Sequence, residues 1–177
     1  MHLDTRIYVL SATNALLFIL SMLVNSRLAP FSLYLILFGL MLILPAIYFK
    51  YPSLIACSCL SGLFVDALLP QPYWLFIYGF PAVSLLLRSI RGHFRTETSY
   101  RFVSMAHIAN ILCILLLCFG QMIYLRQFAV GIQILAIILL SHLVLPLVAP
   151  WFFNFERSLL RILKIEHPHE EEFLAQI

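Results

Sequence analysis

The chain contains 177 residues, of which 63% are hydrophobic and only 11% are charged, and its formal net charge is +3. Ordinary soluble domains are about 45–50% apolar and about 25% charged, so a soluble core of this size could not hide so much apolar surface. The composition therefore excludes a soluble globular protein and predicts that lipid surrounds most of the chain. Membrane topology explains the small positive charge, and nucleic acid is not expected as a partner.

Six apolar segments are long enough to be considered as membrane spans, because about 17 apolar residues suffice for a tilted helix to cross about 30 Å of hydrocarbon. The sequence thus predicts an all-α integral membrane protein, a bundle of six transmembrane helices at residues 7–24, 31–49, 54–69, 73–87, 102–125 and 128–153. The third and fourth segments are short and only Pro70, Gln71 and Pro72 separate them. They are expected either to cross fully or to form a tight hairpin that stops short of the far interface.

The distribution of basic residues predicts the orientation, because Lys and Arg collect on the cytoplasmic side of membrane proteins. With six spans, all eleven basic residues except Arg27 and Arg126 fall on one side. Both termini are therefore expected in the cytoplasm. The candidate cytoplasmic basic surface consists of Arg88, Arg91, Arg95, Arg101, Arg157, Arg161 and Lys164.

Residues 1–155 are expected to form the transmembrane domain, and residues 156–177 a cytoplasmic amphipathic segment followed by an acidic tail. At 100° per residue, one face of the amphipathic segment would carry Phe155, Leu159, Ile162 and Leu163, with the basic side chains opposite. Such a helix suits an anionic membrane surface. The alternatives are a solvated basic flank that only sets topology, or a docking surface for a cytoplasmic protein.

Asp66 is the only formally charged side chain well inside a predicted span. A carboxylate near the bilayer centre costs about 3 kcal/mol on insertion scales, so it normally faces other helices. Ser58, Gly62 and Asp66 are spaced by four residues and lie on one helix face, and small residues at this spacing allow another helix to approach closely. This face is either a packing seam in which Asp66 caps a neighbouring polar group, or a functional polar site.

Polar residues in other spans are candidate partners for Asp66. His107 and Asn110 share a face of the fifth predicted span, and His142 lies in the sixth. A buried carboxylate beside an imidazole could share a proton or form an ion pair. We therefore expect Asp66 to meet His107 or His142 inside the bundle.

No pattern in the chain predicts catalysis. A nucleophile elbow, a zinc-protease motif and a phosphate-binding loop do not occur. Glu97 and Glu156 form no recognisable acid pair for a membrane enzyme of lipid or prenyl chemistry. The four cysteines lie within predicted spans as packing residues. The sequence thus predicts no enzyme, no cofactor and no metal site.

The chain resembles the MreD family of the bacterial rod-shape system. The resemblance runs from PFSLYLILFGLMLILP at residues 30–45, through SGLFVDALL at residues 61–69, to LVLPLVAPW at residues 143–151. Within the second stretch, Gly62 and Asp66 are similar to the family's Gly-x-x-x-Asp pattern. The resemblance implies a bacterial inner-membrane protein, and a fold like that of the substrate-binding subunits of energy-coupling-factor transporters.

The function implied by the resemblance is a non-enzymatic scaffold for lateral peptidoglycan synthesis. The partners implied by the resemblance are an MreC-like bitopic membrane protein, an MreB-like filament, and the SEDS polymerase and transpeptidase pair, and the basic surface adds membrane lipids as expected partners. The alternative is a substrate-binding subunit of a vitamin-type transporter, which would need a pocket with several convergent polar groups. Candidates for such a pocket are Asn14, Asp66, His107, Asn110 and His142.

Overall fold

The computed structural model describes residues 5–69, 74–90, 99–125 and 131–163. Across these ranges the chain is mostly helical and contains no β-strand, which confirms the all-α class. The helices are α1 (Thr5–Leu28), α2 (Leu40–Tyr48), α3 (Tyr51–Leu68), α4 (Leu75–Ile90), α5 (Ser99–Leu125) and α6 (Gly131–Ile162). A short 3₁₀ helix, Ala29–Phe31, follows α1.

Within the described residues, four stretches are long and apolar enough to cross a membrane, namely Thr5–Phe31, Tyr51–Leu68, Phe102–Met122 and Ile134–Ile162. The apolar helix α4 has 16 residues and is about 24 Å long at 1.5 Å per residue, less than the hydrocarbon thickness of about 30 Å. Large apolar side chains remain exposed on outer faces, as Leu143 and Leu147 do on α6. These features indicate a multi-pass membrane protein.

The second predicted span, residues 31–49, is wrong as a continuous helix. Residues 32–39 are extended or turn backbone, and only Leu40–Tyr48 is helical. Ser32 takes a left-handed conformation at φ 56° and closes the 3₁₀ helix by donating its N–H to the Ala29 carbonyl. Hydropathy reports side chains only, so it cannot distinguish a helix from buried extended backbone.

This mixed segment still passes from one end of the bundle to the other. Its Leu35 bonds to Asn25 near the end of α1, whereas Met41 bonds to Asn14 in the middle of α1. The segment ends at Phe49, where the carbonyl accepts a hydrogen bond from Arg88 in the last turn of α4. The irregular backbone therefore lies inside the helical bundle rather than over its surface.

Helices α3 and α4 form an antiparallel pair. The end of α3 meets the start of α4, where Asp66 contacts Phe76, and Ser58 contacts Ser84 further along. The Arg88 guanidinium then lies 4.4 Å from the centre of the Tyr51 ring, at the first residue of α3. The pair is therefore in contact along its whole length.

Four phenylalanine rings tie the irregular segment to its neighbours. Phe38 lies 5.3 Å from Phe76 and 6.0 Å from Phe80, both on α4, and 5.8 Å from Phe18 on α1. Its contacts with the two α4 rings are edge-on, which places the positive edge of one ring on the negative face of another. Each such pair contributes about 0.5–1.5 kcal/mol beyond burial.

Helix α6 runs without a break across the predicted domain boundary at residues 155 and 156. Leu160 and Glu156 are buried in the bundle, whereas Phe155 and Ile162 are exposed. The apolar face predicted for this segment is therefore not the face that packs. Lys164 and the acidic tail lie outside the described residues.

The substitution Gly39→Ala is expected to destabilise the protein. A Cβ at Gly39 would lie within 3.0 Å of backbone atoms of Ala106 and Asn110 on α5. Because backbone cannot rotate aside, α2 would have to move away from α5, at a cost of about 1–3 kcal/mol. Gly79→Ala is the matched control, since its Cβ would meet the flexible side chain of Leu116. Thermal unfolding in detergent measures both variants, and equal losses would contradict the close backbone contact.

Candidate functional site

Three polar side chains of the bundle bind the irregular backbone of residues 32–39, and they come from three different helices. Asn25, on the last turns of α1, binds Leu35 through both of its amide atoms. Its Oδ1 accepts the Leu35 N–H at 2.6 Å, and its Nδ2 donates to the Leu35 carbonyl at 2.9 Å. One side chain thus replaces the two bonds that a helix would have given this residue.

Asn110 on α5 also binds backbone atoms of this segment. Its Nδ2 donates to the Ile36 carbonyl at 2.9 Å, and its Oδ1 accepts the Gly39 N–H at 3.1 Å. The Ile36 N–H in turn donates to the Ser141 hydroxyl of α6 at 2.9 Å. Asn110 and Ser141 are fully buried. Since hydrocarbon offers no hydrogen-bonding partner, non-helical backbone at membrane depth requires such replacements.

Asn14 extends this network toward α3. Its Nδ2 donates to the Met41 carbonyl at 3.1 Å and to the Ser61 hydroxyl at 2.9 Å. Its Oδ1 is buried and has no hydrogen-bond donor within the described ranges. Asn14 therefore joins the first turn of α2 to α3 through α1.

Asp66 caps helix α4 rather than meeting a histidine. Its two oxygens accept the Phe76 N–H at 3.0 Å each, and Oδ2 also accepts the Ile77 N–H at 2.9 Å. The first N–H groups of a helix lack partners within the helix, and the helix dipole favours a negative group at this end. Asp66 is thus a capping residue supplied by the neighbouring helix. The expected pairing with an imidazole is wrong.

The rest of the Asp66 face also packs on α4. The Ser58 hydroxyl lies 2.8 Å from that of Ser84. A Cβ at Gly62 would collide with the Phe76 backbone. Ser58, Gly62 and Asp66 therefore form one seam along α4, as in the packing-seam interpretation of their spacing.

His107 and His142 bind each other. Their Nδ1 atoms lie 2.6 Å apart, and the rings are stacked with centres at 4.9 Å. One ring must donate and the other accept, so the pair joins α5 to α6 in either of two tautomeric arrangements. The His142 Nε2 is buried and has no partner among the described residues. His107 and Asn110, although on one face, thus serve different neighbours.

Two arginines of the predicted basic surface donate hydrogen bonds at one end of the bundle. Arg88 donates to the Phe49 carbonyl, where positive charge is favourable at the end of α2. Arg157 donates to the Tyr48 hydroxyl at 3.2 Å and lies over the Phe102 ring. Arg161 is exposed.

The other members of the predicted surface are not described. Arg91, Arg95 and Lys164 lie outside the described residues, and Arg101 is described only as backbone of α5.

Five polar residues that hydrogen-bond one element to another were not predicted from the sequence, namely Thr13, Asn25, Ser84, Ser141 and Glu156. Each lies on a face of a helix that the structure packs against another element. An asparagine near the end of a span, or a serine beside an intramembrane histidine, gives a usable signal. No such signal marked Glu156, because the sequence placed this residue in a cytoplasmic flank.

Comparison of the chain with protein-family models, with curated proteins and with solved structures gave no match in any of the three.

The substitution Asn110→Ala is expected to lower the free energy of unfolding by about 2 kcal/mol or more, because it leaves the Ile36 carbonyl and the Gly39 N–H buried without partners. Asn154→Ala is the matched control, since Asn154 lies on α6 and is exposed. Thermal unfolding in lipid nanodiscs measures both. A loss in the control as large as that in Asn110→Ala would contradict the role assigned to Asn110.

Substitutions at Asp66 are expected to act on the first turn of α4. Loss of a helix cap costs about 0.5–2 kcal/mol, so Asp66→Ala should speed amide exchange at Phe76 and Ile77. Asp66→Asn keeps an acceptor oxygen and should have a smaller effect. Hydrogen-exchange mass spectrometry measures both, with the last turn of α4 as an internal control. Unchanged protection of the first turn in Asp66→Ala would refute the capping role.

Proposed function

We propose that this protein is a non-enzymatic scaffold of the bacterial cell-wall elongation machinery, as its resemblance to the MreD family implies. In this proposal the chain crosses the inner membrane six times, with both termini in the cytoplasm. The second crossing uses the irregular backbone of residues 32–39 followed by α2. The scaffold binds an MreC-like bitopic protein and supports lateral peptidoglycan synthesis.

The main support for the proposal is that the polar groups inside the bundle are hydrogen-bonded to other parts of the protein. Asn14, Asn110 and Asp66 are hydrogen-bonded to backbone atoms of neighbouring elements. His107 and His142 are hydrogen-bonded to each other. A substrate-binding subunit needs several polar groups that converge on a ligand. Because the candidate ligand groups instead bond within the protein, this arrangement favours a structural role over the transporter alternative.

The partners of such a scaffold bind its outer faces. The exposed side chains of α6 include a row spaced by four residues, consisting of Leu135, Leu139, Leu143, Leu147 and Trp151. A row of this kind suits lipid chains or a single apolar helix within the membrane. The end of the bundle with Arg88 and Arg157 would face anionic lipid headgroups in the cytoplasmic leaflet.

Depletion of the protein in its bacterial host tests the proposal. Loss of the scaffold is expected to widen or round the cells and to disperse the sites of lateral wall insertion, as measured by microscopy with a fluorescent cell-wall precursor. Re-expression of the wild-type chain should restore the rod, and Asn110→Ala should restore it less well than Asn154→Ala. Unchanged rod width and wall insertion after depletion would reject the scaffold.

Capture from mild detergent separates the two candidate functions. Co-purification of a bitopic coiled-coil membrane protein is the outcome expected for a scaffold. A stoichiometric bound vitamin, with no such protein, would instead establish the transporter subunit. Mass spectrometry of both the protein and the small-molecule fractions gives the answer in one preparation.

A further inference from the structure

A second carboxyl group lies inside the bundle, at the contact between α1 and α6. Glu156 is 1% exposed, and its Oε1 lies 2.7 Å from the Thr13 hydroxyl oxygen. The same hydroxyl oxygen lies 2.9 Å from the Leu10 carbonyl oxygen, one turn earlier on α1. Both distances are those of good O–H···O or charge-assisted hydrogen bonds.

The two contacts of Thr13 together require a hydrogen from Glu156. A threonine hydroxyl carries a single hydrogen, and the Leu10 carbonyl can only accept. If Glu156 were ionised, Thr13 could donate to the carboxylate or to the carbonyl, but one short contact between two acceptors would remain. If Glu156 is a carboxylic acid, it donates to Thr13, and Thr13 donates to Leu10. Only the protonated form satisfies both contacts.

Among the described residues, no cation is hydrogen-bonded to the Glu156 carboxyl group. Within the described ranges, Thr13 is the only hydrogen-bond partner of Glu156, and its buried Oε2 has none. The neighbouring Arg157 instead binds Tyr48 at the end of α2 and covers the Phe102 ring on α5. An isolated ionised carboxylate in such a place carries a large desolvation cost.

Other titratable groups on the elements packed around this contact do not supply the missing charge. Cys57, on α3, lies near Glu156 and is hydrogen-bonded to Ser11. Arg6, at the start of α1, has an interaction of its own, and the described hydrogen bond of Glu156 goes to Thr13. On α5, His107 is bonded to His142, far along α6 from Glu156. No described cation is therefore hydrogen-bonded to the acid.

We propose that Glu156 is a proton-binding site that fastens α6 to α1, holding its proton at neutral pH and donating it to the Thr13 hydroxyl. The bonds form a chain from the Glu156 acid through Thr13 to the Leu10 carbonyl. Loss of the proton reverses the Thr13 bond, leaves the Leu10 contact without a hydrogen, and places an unbalanced charge between the two helices. The contact between α1 and α6 is therefore linked to pH.

Infrared spectroscopy of the full chain in nanodiscs tests the protonation state directly. At neutral pH, Glu156→Gln is expected to remove one carboxylic-acid C=O band from the spectrum. Thr13→Val should shift this band to higher frequency, because the acid loses its acceptor, and Thr13→Ser should restore the original position. Loss of a carboxylate band in Glu156→Gln, with no change in the carboxylic-acid region, would overturn the proposal.

The pH dependence of stability is the second measurement. A glutamate exposed in the unfolded chain is ionised at neutral pH, so a folded state that keeps the proton binds more protons than the unfolded state. Its stability then falls as the pH rises. Glutamine keeps a donor for Thr13 and has no proton to lose. Raising the pH from mildly acidic to mildly alkaline should therefore lower the Tm of the wild type more than that of Glu156→Gln. Equal decreases would contradict a proton-binding site.

Discussion

Every backbone N–H and C=O group inside an apolar bundle must find a partner, and this requirement governs how the present chain is built. Helices satisfy it internally, but residues 32–39 are not helical and cannot. Asn25, Asn110 and Ser141 provide the missing donors and acceptors from three different helices. The positions of α1, α5 and α6 relative to one another therefore depend on the backbone path of residues 32–39.

The same requirement explains why polar residues lie where small residues allow close approach. Gly39 lets the irregular segment contact the backbone of α5, where Asn110 can reach it, and Gly62 lets α4 approach α3, where Asp66 can cap it. A larger residue at either glycine would separate backbone from side-chain partner. Close packing and backbone hydrogen bonding therefore depend on each other at both glycines.

Composition and segment length sufficed to predict an all-helical chain with apolar helices that could cross a membrane, because hydropathy is summed over many residues. The face containing Ser58, Gly62 and Asp66 was also predictable, since helical spacing places these residues together. Their target was not, because a helix N-terminus carries no side-chain signature that could compete with His107 or His142. The break in the second span was hidden for a related reason: its partners are single side chains on distant helices, and no local pattern reports them.

The two buried acids illustrate two ways of keeping a carboxyl group inside an apolar bundle. Asp66 receives N–H groups from the start of α4, where the helix dipole balances negative charge. Glu156 faces a threonine whose hydrogen is already directed at a carbonyl, and no described cation is hydrogen-bonded to it. Electrostatic balance at the first site comes from the protein backbone, whereas at the second it must come from a proton. In the proposed arrangement, the proton of Glu156 makes the association of α1 and α6 respond to the pH on that side of the membrane.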